Sequence, residues 1–432
     1  MTIEKNLSEA AVAPPRVRPL RVATASFIGT AVEWYDYFIY GLAAAIVFGP
    51  LFFPSVSSVA GTMAAFATYS VGFFARPVGG IVMGHFGDRV GRKSMLVVSL
   101  LTMGLATVGI GLLPTYDTVG VWAPVLLVTL RFIQGIGVGG EWGGAVLMAV
   151  EHAPERKKAF YGSFPQMGVP GGLILANLVF LGLTTNLSSE AFLSWGWRVP
   201  FLASAVMVIA GLVIRLTVDE SPEFKEVKQA GADRRMPLVE VLRDNWREVA
   251  LSAGAFIGIN ALGYIFMAYL LSYTTAVLGL SRNLVLTFTL VASTVWLAVI
   301  PWASALADRH GRRRVLMTGS IGLVACAALL FPVIDTAEPA LILIALLVTA
   351  VFMGIVYGPI AELFSGLFKA EVRYSGASLG YQVGSILGGG IAPTVATALY
   401  ASWSSTTPIT LYLVGVTLIS LASVWLVTRR PG

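Results

Sequence analysis

Apolar blocks of 20 residues or more follow one another along the whole chain, separated by short polar stretches. Blocks of that length are what a helix needs to cross a hydrocarbon layer roughly 30 Å thick. The pattern predicts twelve spans, at 21–47, 60–84, 94–114, 122–150, 159–184, 197–218, 247–277, 284–306, 315–334, 338–365, 373–401 and 407–428. Outer-membrane strands are shorter and alternate with period two, so a barrel does not fit. The expected fold class is all-α: a polytopic membrane protein of twelve helices. The opening stretch, MTIEKNLSEAAVAPPRVRPLR, has no apolar core of the signal-peptide kind, and the first helix is expected to be retained.

The polar breaks fix an orientation. Arg16, Arg18 and Arg21 precede the first span, and further basic groups fall at Arg89, Arg92 and Lys93, at Arg156 to Lys158, in 215–247, at Arg309 to Arg314, at Lys369 and Arg373, and at Arg429 and Arg430. The breaks at 48–59, 114–121, 185–196, 335–337 and 402–406 contain neither Lys nor Arg. Basic loops stay on the cytoplasmic side, which puts both termini there and requires an even number of spans. Composition agrees: 56% of residues are hydrophobic, 12% are charged, and mean hydropathy is +0.79, far from the roughly 25% charge of soluble domains. The net charge of +6 follows from the loops and implies no nucleic-acid partner. Partners are expected to be the lipid bilayer, a small solute and protons, with the monomer as the working unit.

The chain repeats at half length. GHFGDRVGRKSML at 84–96 returns as SALADRHGRRRVLM at 304–317, so that Asp88, Gly91 and Arg92 match Asp308, Gly311 and Arg312 at an offset of 220. A second echo pairs Gln166-x-Gly168 with Gln382-x-Gly384, each before a glycine-rich stretch. Two parallel six-helix repeats fit a transporter whose halves rock about a central site. The expected layout is a cytoplasmic segment 1–20, a bundle 21–218, a charged cytoplasmic linker 219–246 that is partly amphipathic helix, and a bundle 247–432.

The G-x-x-x-D-R-x-G-R-K/R motif at 84–93, returning at 304–313 with Ser304 in place of the first glycine, resembles that of the major facilitator superfamily. Within it, EWYDYFIYG, FARPVGG, RFIQGIGVGGEWGGA and RYSGASLGYQVGSILGGGIAP resemble the metabolite:proton symporters, whose members carry shikimate, 2-oxoglutarate, citrate, aromatic acids, or proline and betaines. The resemblance covers nearly the whole chain. It implies proton-coupled uptake across the bacterial inner membrane.

Three groups of residues bear the expected chemistry. Asp88, Arg89 and Arg92, with Asp308, Arg309 and Arg312, are placed to latch the cytoplasmic ends of the helices, together with Glu362 and Arg373. The bare positive-inside reading accounts for the arginines and leaves Asp88 unexplained. Intramembrane carboxylates cost ~2.5–3.5 kcal/mol each at the helix centre, so Glu33 and Asp36 on one face of the first helix call for a use. At 1.5 Å per residue they lie about 18 and 22 Å from the cytoplasmic end; Arg76 and Glu141 lie about 12 and 13 Å from theirs, and Arg131 about 13 Å below the outer end. Arg76 and Glu141 share a level, and Arg131 stands nearer Asp36. In related sugar porters a helix 1 aspartate pairs with a helix 4 arginine, and the matching positions are Asp36 and Arg131. Burial raises a carboxylate's proton affinity and a nearby arginine lowers it, so a pair that opens and closes can load and release a proton. Asp36 is the expected proton carrier and Arg131 its modulator; Glu33 as the titrating group, or a static ion-pair network, are the alternatives.

Substrate contacts are expected from Tyr37, Tyr40, Arg76, Gln134 and Glu141, from Gln166, Asn260 and Tyr264, and from Tyr357, Tyr381 and Gln382. Each amide could instead serve interhelical hydrogen bonding, and each tyrosine packing. The glycine runs at 135–144 and 168–172 are expected to let helices approach closely. The chemistry suits a small organic acid. The rivals are a zwitterion importer of the proline/betaine type and a drug:proton antiporter. With only His85, His152 and His310, all at cytoplasmic loops, no metalloenzyme site is expected, and without a phosphate loop no ATP-driven pump. Neither an enzyme nor a cofactor is expected, and the single Cys326 excludes an intrachain disulfide.

Overall fold

A computed structural model describes residues 19–90, 92–139, 153–217, 243–368 and 373–429, together with Trp142, Val146, Ala149, Val150 and Val241. Side chains of 81–96, 214–217 and a few further positions are outside that description, as are Glu141 and the linker residues 218–240. The readings placed on Glu141, on the side chains of Asp88, Arg89 and Arg92, and on linker residues 219–240 therefore lie outside the described residues.

The described residues are helical throughout, without a strand. We label the principal helices α1 (Pro19–Ala43), α2 (Ser58–Val90), α3 (Arg92–Leu112), α4 (Trp122–Val138), α5 (Lys158–Asn186), α6 (Arg198–Thr217), α7 (Trp246–Tyr264), α8 (Arg282–His310), α9 (Arg312–Ile334), α10 (Pro339–Leu367), α11 (Arg373–Ser385) and α12 (Thr407–Arg429). Three are prolonged through a π-helical turn: α1 through Ala44–Phe48, α7 through Ile265–Tyr269, and α11 through Ile386–Gly390 into Ala392–Trp403. Among the described residues nine helical runs are long and apolar enough to cross a bilayer. Ser189–Gly196 and Arg198–Val213 together make a tenth, bent by 46°, and Val97–Leu112 and Trp122–Val138 are shorter apolar helices.

The repeat seen in the motifs is also a repeat in packing. The pairs α1–α5, α2–α4, α3–α6 and α3–α4 recur as α7–α11, α8–α10, α9–α12 and α9–α10. Between the halves, α5 lies against α8 and α10, and α2 lies against α11. The π-turn of α7 stands 221 residues beyond that of α1, and the two touch. Glycines set the closest approaches, as the sequence implied. A Cβ on Gly135 would strike the Gly72 carbonyl, and one on Gly139 the Arg76 carbonyl, so α2 and α4 meet backbone to backbone. A Cβ on Gly172 would lie 2.6 Å from the Tyr35 amide nitrogen, which brings α5 equally close to α1.

At the end carrying Arg309 to Arg314 the halves are tied by Asp308, which accepts from the Ala159 and Phe160 amides at 3.0 and 2.9 Å across the α8–α5 junction. Arg312 pairs with Glu362 at 3.7 Å, Arg373 Nε donates to the Phe368 carbonyl at 3.4 Å, and Arg309 is exposed. At the opposite end Thr184 on α5 donates to Asn283 on α8 at 2.7 Å. Basic residues occur there too: Arg198 donates to the Gly111 carbonyl at 3.0 Å and to that of Leu113, and the Arg282 guanidinium lies 5.4 Å from the Phe192 ring centre. The halves touch at both ends.

Candidate functional site

Arg131 and Arg76 meet at one ring. The Arg131 guanidinium lies 4.1 Å from the ring centres of Tyr37 and Tyr40 and 4.7 Å from that of Tyr69. That of Arg76 lies 4.5 Å from Tyr37, 4.6 Å from Phe73 and 5.5 Å from Trp34. The α2–α4 contact makes this possible, since a Cβ on Gly72 would sit 2.7 Å from Arg131 Nε. Both side chains are buried, and among the described residues neither has a carboxylate at ion-pair distance. A desolvated cation–π contact is worth about 2 kcal/mol, and burying an ion costs several kcal/mol. The aromatic box therefore offsets only part of the cost of its two charges, and an anion would offset more.

The hydroxyls in the box are also unspent. Those of Tyr37, Tyr69 and Tyr264 are buried without a hydrogen-bond partner among the described residues, as are Arg76 Nε and Arg131 Nε and Nη2. The three rings pack together, with centres 5.1 Å apart for Tyr37 and Tyr69, 5.9 Å for Tyr69 and Tyr264, and 6.4 Å for Tyr37 and Tyr264. Tyr264 comes from α7, so both halves contribute. The guanidiniums only donate, and the phenols can donate or accept.

Beside the box is a cavity of about 10 Å³, room for about one water. Glu33, Trp34, Arg76, Trp142, Tyr381 and Gln382 are among its lining residues. Its floor, toward the basic end, is closed across the two halves. The Trp142 ring stacks on Tyr381 at 3.8 Å and 14°. Gln166 on α5 donates to the Tyr357 carbonyl on α10 at 3.1 Å, and Gln382 on α11 donates to the Gly139 carbonyl beyond α4 at 3.2 Å. The Gln-x-Gly echo in the sequence is thus a pair of equivalent bonds, each reaching into the opposite half.

Asp36 stands apart from this box. Its Oδ1 accepts from Ser204 on α6 at 2.5 Å, Thr107 on α3 lies beside it, and Oδ2 has no partner among the described residues. The expected partner Arg131 forms no ion pair with it among the described residues; its Nη1 donates to Gln134 instead. The reason is geometric: the three-ring stack holds the guanidinium on α2's side of Tyr37, while Asp36, one residue earlier on α1, faces α3 and α6. Depth counting separated Arg76 from Arg131, whereas the packing brings both onto Tyr37.

The other expected contacts divide. Tyr40 hydrogen-bonds Thr68 at 2.7 Å and supports Arg131. Asn260 Nδ2 donates to the Phe256 carbonyl of its own helix at 3.0 Å, and Tyr357 stacks on Phe256 and meets Trp296. Sequence reasoning missed Tyr69, Phe73, Trp34, Trp142, Thr107 and Ser204. Tyr69 and Phe73 carry a usable signal, since they lie seven and three residues before Arg76 on one helical face. Thr107 and Ser204 carry none, being ordinary hydroxyls in apolar helices.

Two helical bundles related by a packing repeat, closed at both ends around a buried polar centre, define a membrane transporter. Residues 25–380 and 288–432 match the Major Facilitator Superfamily, and the chain belongs to that family. It is 46% identical to the inner membrane metabolite transport protein YhjE of Escherichia coli K12, over 93% of each chain. It is 44% identical to the shikimate transporter of the same organism, again over 93% of each. The proline/betaine transporter of Salmonella typhimurium is 33% identical over 93% of this chain and 82% of its own. A crystal structure of a D-xylose–proton symporter superposes with a TM-score of 0.74 at 17% identity, covering 94% of this chain and 97% of that one, which is a likeness of fold. The protein is a multi-pass transport protein of the bacterial inner membrane, and its family are transporters rather than enzymes.

Proposed function

We propose that the protein imports a small organic acid together with protons by alternating access, with the basic end of the bundle facing the cytoplasm. The observation that carries this reading is a buried centre rich in donors: two guanidiniums without a carboxylate partner among the described residues, and three phenols from both halves without a hydrogen bond among them. A carboxylate and hydroxyls are what such a set of donors accepts. The 44% identity to a shikimate transporter supports a hydroxylated acid of that kind. The cavity is too small for such a solute, so the loaded form must be wider. A betaine would find aromatic faces here, but its ammonium would meet two like charges, and a greasy cationic drug would meet the same repulsion.

Proton coupling is assigned to Asp36, with Glu33 in the cavity wall as the alternative carrier. Asp36 is 0% exposed, hydrogen-bonded on one oxygen and unpartnered on the other, which is where a proton is accommodated at least cost. One proton with a monoanion moves no net charge and is driven by ~1.4 kcal/mol per pH unit. A second proton adds ~2.3 kcal/mol per 100 mV.

The test is uptake into proteoliposomes under an inward pH gradient, with labelled shikimate, 2-oxoglutarate, citrate, protocatechuate, proline and betaine. One acid is expected to accumulate only with the gradient, and Asp36→Asn is expected to exchange it without accumulating it. Normal accumulation by Asp36→Asn would transfer the role to Glu33. Accumulation of betaine alone would refute the acid reading.

A further inference from the structure

Between the acid site and Asp36 runs a file of polar side chains, hydrogen-bonded in one direction from Arg131 as far as Thr107. Arg131 Nη1 donates to Gln134 Oε1, Gln134 Nε2 donates to Thr107 Oγ at 2.8 Å, Thr107 stands beside Asp36, and Ser204 donates to Asp36 from the other side. The five residues come from α4, α3, α1 and α6, and all are 0% exposed. A guanidinium only donates, so it fixes the amide with its oxygen toward Arg131 and its nitrogen toward Thr107. Thr107 must then accept from Gln134, and its own hydrogen is left for the Met103 carbonyl, 2.9 Å away, or for Asp36.

We infer that Gln134 and Thr107 are positioning residues through which acid binding at Arg131 draws a proton onto Asp36, an inference that rests on the proposed acid and proton symport. With Arg131 held by Gln134, the Thr107 hydrogen, which the structure places on the Met103 carbonyl, is free to turn to the Asp36 carboxylate. When the carboxylate of an incoming acid takes Arg131 Nη1, Gln134 Oε1 loses its donor. The amide is then free to turn and present that oxygen to Thr107, which gives its hydrogen to it. Asp36 is left with Ser204 alone. A buried carboxylate that loses a donor binds a proton more readily. The proton arrives from water on the open side, an O–H bond forms on Oδ2, and the same bond breaks when the opposite side opens. Acid first and proton second is the order that prevents leak of protons without cargo.

The surroundings of Asp36 leave this path room to act. Among the described residues its charged neighbour on α1 is Glu33. Tyr35 on the same helix donates to the Pro200 carbonyl of α6 at 3.0 Å. The groups of α3 and α6 in contact with it are the hydroxyls of Thr107 and Ser204, α4 brings Arg131 through Gln134, and the Arg76 of α2 lies beyond Tyr37.

Thr107→Val keeps the shape and removes the hydroxyl. Wild type, Asp36→Asn, Thr107→Val and Thr107→Ser are compared in proteoliposomes, using the panel solute that the wild type accumulates. Solute exchange without a gradient and gradient-driven accumulation are read separately. Thr107→Val is expected to exchange within about twofold of wild type and to accumulate at least about tenfold less, with Thr107→Ser restoring accumulation. If the wild type accumulates, Asp36→Asn does not, and Thr107→Val accumulates normally, the relay is refuted while the symport reading stands. Loss of exchange in Thr107→Val also refutes it, because the hydroxyl would then serve binding or folding. If the wild type accumulates none of the panel, the symport reading fails and the relay falls with it.

Discussion

The two glutamine bridges under the cavity give a quantitative test of how the basic end is held shut. Gln166 and Gln382 each donate one bond across the interface between the halves, at 3.1 and 3.2 Å, to the Tyr357 and Gly139 carbonyls. Opening that end separates α5 from α10 and α4 from α11, so both bonds exist in the closed form only. A buried hydrogen bond contributes about 1 kcal/mol net. Gln166→Leu or Gln382→Leu alone should therefore raise the ratio of open to closed about fivefold, and the double variant about 30-fold, if the two sites act independently. Ala361, fully buried beside Val146 and Val150 at this end, reports the opening. In a Cys326→Ser background, Ala361→Cys should react with an impermeant maleimide only when the end opens. The labelling rate in inside-out vesicles then follows the open fraction. Rates within twofold of the parent for both singles and the double would show that the bonds do not favour the closed form. A large effect from one glutamine and none from the other would refute their equivalence.

Two further outcomes are expected. Tyr37→Phe removes a hydroxyl that has no hydrogen-bond partner among the described residues, so thermal stability should change by less than about 0.5 kcal/mol, while the affinity for the transported acid drops about tenfold in a competition assay. Asp308→Asn leaves one neutral oxygen where a carboxylate accepted two backbone amides, a loss of about 1.5–3 kcal/mol of charge-assisted bonding, and maleimide labelling at Ala361→Cys should rise more than tenfold.

Much of this architecture is written in one dimension. A hydrophobic block of more than 20 residues has one stable answer in a bilayer, a helix that satisfies its own backbone, and basic loops fix which side they face. The half-length repeat is equally local, since Asp88 and Asp308 or Gln166 and Gln382 need only be read in register. Even the suspicion attached to Glu33, Asp36, Arg76 and Arg131 follows from the cost of charge in hydrocarbon, whatever their neighbours.

Pairing is a different matter. Counting rise along each helix placed Arg131 beside Asp36 and put Arg76 on another level, because a depth scale knows nothing of rotation about the helix axis or of how closely two axes approach. Gly72, Gly135 and Gly139 let α2 and α4 meet backbone to backbone, and that contact delivered both guanidiniums to Tyr37. One residue along α1, a rotation of about 100°, turned Asp36 toward Ser204 and Thr107 instead. Hydropathy and spacing alone dictate that this chain crosses a membrane, repeats itself, and carries charges it must use. Which of those charges meet, and through which hydroxyls they communicate, only the packing of the helices decided, because side-chain contacts across helices depend on axial rotation and separation that no spacing along the chain records.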